Sequence, residues 1–219
     1  MRAFQDFIDF VMARWAQFPG MHIYHYAPYE PAALKRLMGR YATGEEELDQ
    51  MLRGDLFVDL YQVVRHGIRA GVESYSIKRL EPLYAYDRDT ALPDANAALA
   101  LLQASIELDD IPSITAETKA TVLAYNKDDC LSAAALRDWL EKLRAQIVKD
   151  GTAMPRAAPG DGSPGENVSA WLSKINPIIA KLTADLPADA EERTAEQQAR
   201  WILASVLDWH RREIGRAHV

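Results

Sequence analysis

The chain has 219 residues, of which 48% are hydrophobic and 26% are charged, so it is long enough for one globular domain and a smaller unit. Its formal net charge of −7 argues against a general basic nucleic-acid binder, although an acidic site can reach phosphates through metal ions. The single cysteine, Cys130, excludes a disulfide framework and favours a cytoplasmic location. No apolar run reaches membrane-spanning length, so we expect no membrane partner.

The first third of the chain alternates helical and strand patterns. Apolar residues at helical spacing predict a first helix that Pro19-Gly20 ends. The aromatic, β-branched stretch HIYHY (22–26) predicts a strand, and Pro31 suits the start of the next helix. A short acidic helix is predicted over 44–53. The stretch LFVDLY (56–61) predicts a second strand that leads into another helix.

The rest of the chain is predicted to be mainly helical. Three segments have helical composition or spacing: 74–84, 94–107 and 116–149. A stretch rich in Gly, Pro and Ala then predicts a flexible linker, and two helices are predicted near 168–183 and 191–213. These patterns divide the chain into a domain over 1–149, a linker over 150–167 and a helical segment over 168–219.

The long helical stretch carries an acid on its apolar face. At about 100° per residue, Tyr125 and Asp129 fall at i and i+4 within one apolar stripe, together with Leu136, while Asp128 falls at its edge. A buried carboxylate is costly unless it is paired, hydrogen-bonded or bound to a metal. The alternatives are therefore an acid that complements the helix dipole, an aspartate paired with an arginine, or a metal ligand.

A second acid, Glu30, follows the first predicted strand where the chain turns into a helix. That position lies at the end of a sheet, where α/β proteins place their ligands, although helix capping explains a single acid equally well. Two-metal nucleases need carboxylates from several elements and a group that orients the attacking water. The combination of Glu30 with an inward Tyr-x-x-x-Asp therefore indicates such chemistry.

Two motifs resemble those of a known nuclease class. HYAPYE (25–30) is similar to the second motif of the DEDD 3′–5′ exonucleases, and YNKDD (125–129) is similar to the tyrosine form of their third motif. With FVDLYQVVRHGI and SYSIKRLEP between them, the ordered set resembles the YprB-type ribonuclease H-like domain of RecB-like nuclease and helicase proteins. The resemblance covers roughly residues 1–145.

The resemblance implies a role for each matching residue. It makes Glu30 and Asp129 ligands of Mg²⁺ or Mn²⁺, Tyr125 the residue that orients the attacking water, and His25 the opening residue of the second motif. Lys78 and Arg79 lie in a stretch that could approach phosphate, or they form a solvated helix face.

The resemblance also implies a fragment. The first motif of the family, Asp-x-Glu on a strand, is absent, and IGRAHV (214–219) resembles a translated sequencing adapter. We therefore expect a truncated ribonuclease H-like α/β fold, helix-rich with a small residual parallel sheet plus C-terminal helices. The expected function is a metal-dependent 3′–5′ exonuclease acting on DNA or RNA, linked to a helicase-type ATPase domain in the full-length protein. The alternative is a non-catalytic nucleic-acid-binding or scaffold domain.

Overall fold

The computed structural model describes residues 2–41, 43–89, 91–156, 158–187 and 189–207. The described chain divides into two compact units, residues 1–162 and 163–219. The adapter-like segment and the last part of the final predicted helix lie outside the described residues. No helix in the described ranges is both long and apolar enough to cross a membrane.

The first unit contains seven helices and two strands among its described residues. In chain order they are α1 (Arg2–Gln17), β1 (Ile23–His25), α2 (Tyr29–Tyr41), α3 (Glu45–Arg53), β2 (Phe57–Asp59), α4 (Leu60–Gly67), α5 (Ile77–Leu80), α6 (Leu92–Glu107) and α7 (Ala116–Lys149). Two short 3₁₀ turns, Glu81–Tyr84 and Ile111–Ser113, join the later helices. The helix-rich α/β architecture expected from the sequence is confirmed.

The two strands pair in parallel, as predicted. Ile23 lies opposite Phe57, and His25 lies opposite Asp59. The strands are therefore in register, and the turns into α2 and α4 leave the same end of the sheet. A parallel pair needs a crossover connection, which α2 and α3 supply here.

Two apolar clusters hold this unit together. The first packs α1 against α3 and the start of the sheet, with Ile8, Leu48, Met51 and Leu56 fully buried. The second packs α4 and α5 against α7 through Leu60, Val64, Leu80 and Leu136. Tyr26, directly after β1, packs against this second cluster. The strand end that precedes Glu30 is therefore anchored on both sides.

One predicted helix is much shorter than expected. The stretch 74–84 contains only the four residues of α5, followed by the 3₁₀ turn. Pro82 lies in the first turn of that 3₁₀ segment, where it has no helical hydrogen bond to donate. Ala85 then adopts a left-handed conformation, with φ of 53°, and redirects the chain.

The segment predicted as a linker begins by packing onto the first unit. The Gly160 N–H donates to the Gly54 carbonyl at 3.1 Å, and Arg53 Nε donates to the Gly162 carbonyl at 2.9 Å. Gly162 has φ of 72°, and a Cβ there would lie 2.3 Å from the Gln50 carbonyl oxygen. A glycine is therefore required at this close approach.

The second unit is a helical pair. Its helices are α8 (Glu166–Thr183) and α9 (Ala195–Val206). Thr194 begins α9 with a capping box that it shares with Gln197. Arg200 of α9 donates to the carbonyls of Leu182 and Ala184 near the end of α8, at 3.1 and 3.0 Å.

Candidate nucleic-acid cleft

A cleft of about 1000 Å³ opens where β1 ends, between the first turn of α2, the segment 74–78 and the middle of α7. Five of the six residues singled out from the sequence line it: His25, Glu30, Lys78, Tyr125 and Asp129. They come from four separate parts of the first unit. The fold therefore brings the two motifs together, while the roles assigned to these residues stay predictions.

The loop between β1 and α2 is held in a strained conformation. Ala27 has φ of 63°, a left-handed backbone that a residue with a Cβ rarely adopts. Its N–H donates to Asp59 Oδ1 at 2.8 Å, and its carbonyl accepts from His25 Nδ1 at 2.7 Å. Asp59 also accepts the N–H of Tyr61 at 2.9 Å and thereby caps α4. These bonds fix the loop that carries Glu30.

His25 is a buried residue that contacts this loop. It is 7% exposed, and its Nδ1 lies 3.9 Å from Glu30 Oε2. Because the Ala27 carbonyl can only accept, Nδ1 carries the proton in this arrangement. The contacts of His25 with Ala27 and Glu30 support a role in holding the backbone of the second motif in its conformation.

The two adjacent aspartates of α7 occupy opposite environments, and the predicted assignment of the inward one is wrong. Asp128 is only 2% exposed and accepts the Tyr86 hydroxyl at 3.1 Å, whereas the Asp129 side chain is 39% exposed and lines the cleft. Asp128, Ser132 and Leu136 follow one another at i, i+4 and i+8 and form the buried line of the helix. Helix α7 thus buries the side of the stripe that carries Asp128, Ser132 and Leu136, while Tyr125 and Asp129 line the cleft.

Arg88 connects the cleft to the interior. Its side chain is 8% exposed, with NH1 2.8 Å from Asp129 Oδ1 and NH2 2.7 Å from Glu81 Oε1. Burial by itself lowers the pKa of Arg88, but the bonds to Glu81 and Asp129 outweigh it and raise that pKa above its ordinary value. The guanidinium carbon also lies 5.7 Å from the ring centre of Tyr125. Of the alternatives for Asp129, the arginine pair is present.

The two basic residues of α5 diverge. Lys78 Nζ donates to the Tyr125 hydroxyl at 2.6 Å and lies 4.9 Å from its ring centre. Arg79 does not line the cleft; its exposed guanidinium pairs with Glu73 at 3.2 Å. Neighbouring residues of a helix point about 100° apart, so only Lys78 faces the cleft, and its approach to a phosphate stays a prediction.

The carboxylates present fit one hard cation better than two. Glu30 and Asp129 are the acidic side chains among the residues that line the cleft, and Mg²⁺ is commonly bound by one or two carboxylates plus waters. One Asp129 oxygen already contacts Arg88. Within the described ranges, no three or more His, Cys, Asp or Glu side chains cluster closely enough to hold a metal ion.

Several residues in the cleft or directly behind it were not found from the sequence. Arg88 and Glu81 carry no motif, and only the alternation of acid and base in YDRD (86–89) could have drawn attention to Arg88. Cys130, for which the sequence indicated no role in a site, is exposed and lines the cleft. Of the tyrosines that line the cleft, Tyr24, Tyr61 and Tyr75 lie outside the two motifs, so no motif spacing points to them.

Two tyrosines behind the cleft predict an alkaline loss of stability. Burial raises the pKa of Tyr84 to about 12, and burial together with the bond to Asp128 raises that of Tyr86 to about 12. The folded state disfavours the ionised form of both tyrosines. The stabilisation that the two neutral tyrosines give the folded state is therefore complete below pH 10 and is lost as the pH rises towards 12. We expect urea titrations to give a falling free energy of unfolding across this range.

The matched variants identify the source of this loss. Tyr84→Phe and Tyr86→Phe should each make the alkaline decline shallower, while Tyr29→Phe, at a tyrosine that is 77% exposed, should leave it unchanged. Equal slopes in all four proteins would contradict the assignment.

The small parallel sheet, the flanking helices and the acid-bearing cleft at the strand ends define a ribonuclease H-like α/β domain. A family model described as the RNase H superfamily matches residues 1–141, and the chain belongs to that superfamily. No curated protein and no solved structure matches the chain significantly.

Proposed function

We propose that this chain forms a domain of a metal-dependent nuclease of the DEDD 3′–5′ exonuclease type. We propose further that the domain is related to the YprB-type domains that accompany a helicase-type ATPase. The superfamily membership supports nuclease-type activity on nucleic acid. The observation that carries the finer proposal is the meeting of Glu30, Tyr125 and Asp129 in one cleft, although the motifs lie about a hundred residues apart.

Each residue has a part in this proposal. Glu30 and Asp129 hold a Mg²⁺ or Mn²⁺ ion, which supplies charge neutralisation at the phosphate and a lowered pKa for the attacking water. Tyr125 orients that water through its hydroxyl, which Lys78 holds in place. Lys78, half-buried at the cleft wall, also offers its charge to a substrate phosphate. His25 keeps the loop of Glu30 in position.

We expect the 219-residue chain by itself to release no nucleotides. Two cleft carboxylates do not hold two cations at the spacing of about 4 Å that the mechanism uses. The measurement is nucleotide release from end-labelled single-stranded DNA and RNA with Mn²⁺. Robust release that Asp129→Asn abolishes would contradict this expectation and show that other acids complete the site.

The same assay tests the positive part of the proposal. A longer protein that begins with an Asp-x-Glu strand should release nucleotides, and Asp129→Asn or Glu30→Gln should reduce the rate at least about a hundredfold. Asp49→Asn, a matched change at an acid outside the cleft, should leave the rate unchanged. Binding of Mn²⁺ by electron paramagnetic resonance, weakened by Asp129→Asn, gives a readout that does not need turnover.

One observation favours the non-catalytic alternative. Asp129 is paired with Arg88, and Tyr125 is bonded to Lys78, so both candidate catalytic groups already have cationic partners. A longer protein that binds oligonucleotides but releases no nucleotides with Mn²⁺ would establish this second function, a nucleic-acid-binding domain beside a helicase.

A further inference from the structure

The wall of the cleft is unusually rich in tyrosine. Six of the nine tyrosines of the chain line it. They are Tyr24, Tyr26, Tyr29, Tyr61, Tyr75 and Tyr125. Flat aromatic side chains in a groove that also carries cations are the usual means of holding single-stranded nucleic acid, because every base has a face that can stack.

Four of these tyrosines have structural contacts that occupy them. Tyr26 donates to the Tyr75 carbonyl and packs edge-on against Tyr61. Tyr75 donates to the Ile68 carbonyl at 3.1 Å, and Tyr125 is held by Lys78. These rings are partly buried and are tied to the wall of the cleft through their hydroxyl groups or through one another.

Tyr24 and Tyr29 are different. Their side chains are 40% and 77% exposed, and both line the cleft. An exposed tyrosine contributes little to the stability of the fold, so stability does not explain these two rings. The guanidinium carbon of Arg137 lies 5.4 Å from the ring centre of Tyr24 and steadies that ring from α7. Arg137 contacts Asp138 through Nε at 3.0 Å.

The charges around the cleft agree with a polyanionic strand. In a chain of net charge −7, the cleft carries Lys78 and Arg137 against Glu30 and Asp129, and Arg88 contacts Asp129 from behind. The cleft thus places two cations and two exposed tyrosine rings side by side in a chain that is acidic as a whole. An acidic peptide would use the cations but would not need two exposed rings.

We propose that Tyr24, Tyr29 and Arg137 form a base-stacking subsite that holds a single-stranded nucleic acid along the rim of the cleft. The two rings stack on bases, and Arg137 contacts a phosphate beside Tyr24. The inference rests on the proposed function only in taking nucleic acid as the ligand. It adds Tyr24 and Arg137, which lie outside the two motifs, gives the motif residue Tyr29 a stacking role, and specifies an unpaired strand over a duplex.

The test is binding without catalysis. Fluorescence anisotropy with a labelled oligothymidylate of about 15 nucleotides, measured in EDTA, reports affinity for one strand. Tyr24→Ala and Tyr29→Ala should each weaken binding about tenfold, while Tyr29→Phe, which keeps the ring, should bind as the unaltered protein does. Phe10→Ala removes a ring that is 62% exposed but lies outside the cleft, and it should have no effect.

Two further measurements locate the strand. Arg137→Gln should reduce the slope of log affinity against log salt by about 0.7, the value for one phosphate contact to a single strand. Cys130 is exposed and lines the cleft, so bound oligonucleotide should slow its reaction with a thiol reagent, and Tyr29→Ala should reverse that protection at the same oligonucleotide concentration.

The outcomes separate this inference from the nuclease proposal. Unchanged affinity in both alanine variants, or tighter binding of a duplex of equal length, would overturn the stacking subsite even if a longer protein cleaves. Weakened binding in those variants, with Phe10→Ala and Tyr29→Phe unaffected, supports the subsite even if no cleavage is found.

Discussion

Arg88→Met is expected to lower the free energy of unfolding by about 3–5 kcal/mol, because it removes one partner from a buried ion pair and leaves the other. The Arg88 and Glu81 side chains are 8% and 10% exposed, and Nε and NH2 of Arg88 both contact Glu81. Among the described residues, the Glu81 carboxylate would then keep the Ser132 hydroxyl, which donates to it at 2.8 Å, as its remaining side-chain donor. Urea unfolding followed by circular dichroism measures the loss.

Arg79→Met is the matched control for this variant. Arg79 makes an ion pair of similar length with Glu73, but both side chains are more than half exposed. Exposed pairs contribute about 0–1 kcal/mol, so this substitution should change stability little. Similar losses in the two variants would show that Arg88 acts through chain packing and not through its buried partner.

A second variant tests the same explanation from the other side. If the cost of Arg88→Met is the unpaired carboxylate, then adding Glu81→Leu should recover a large part of the loss, since an apolar pair needs no compensation. A double variant less stable than Arg88→Met would contradict this account.

Leu136→Ala is expected to lower the free energy of unfolding by about 2–5 kcal/mol. Leu136 is fully buried in the second apolar cluster, where α7 packs on α4 and α5. The lost side chain leaves a cavity between elements that the sheet and the 3₁₀ turn hold apart, so the site cannot collapse to fill it. Thermal and urea unfolding should agree on the size of the loss.

Leu131→Ala serves as the control on the same helix. Leu131 is 45% exposed, so its truncation should cost less than about 1 kcal/mol. Because the two substitutions change helix propensity equally, the difference between them measures the cavity. A difference near zero would contradict the placement of Leu136 in the core.

Much of the fold follows from local patterns. The strands 22–26 and 56–61 were predicted from β-branched and aromatic runs, and the structure has β1 and β2 within them as a parallel pair. The long helix was predicted over 116–149, the range that α7 occupies, and Thr115 caps its start. A strand or a helix depends mainly on its neighbours in sequence, so sequence patterns predict these elements well, whereas the parallel pairing was expected from the family resemblance.

The candidate site was predictable in part for the same reason. Tyr125 and Asp129 share a helix face at i and i+4, and Glu30 lies where a strand ends, so their common location required only that the two elements meet. The failures are of another kind. Helical periodicity shows which residues share a face. It does not show which part of a broad apolar stripe the neighbouring elements cover, and for that reason Asp128 was not expected to be the buried acid.

The sequence by itself determined the order of the elements and the residues of the two motifs, because these depend on local conformational preference and residue spacing, while the parallel pairing was expected only from the family resemblance. Only the tertiary structure decided that Asp129 pairs with Arg88, that Arg79 points away and that Tyr24 and Tyr29 stand at the rim. Arg88 reaches Asp129 across 41 residues of chain, from a turn whose direction Pro82 and the left-handed Ala85 set. Contacts of that kind depend on how elements distant in sequence pack against one another, and a local sequence pattern carries no information on that packing.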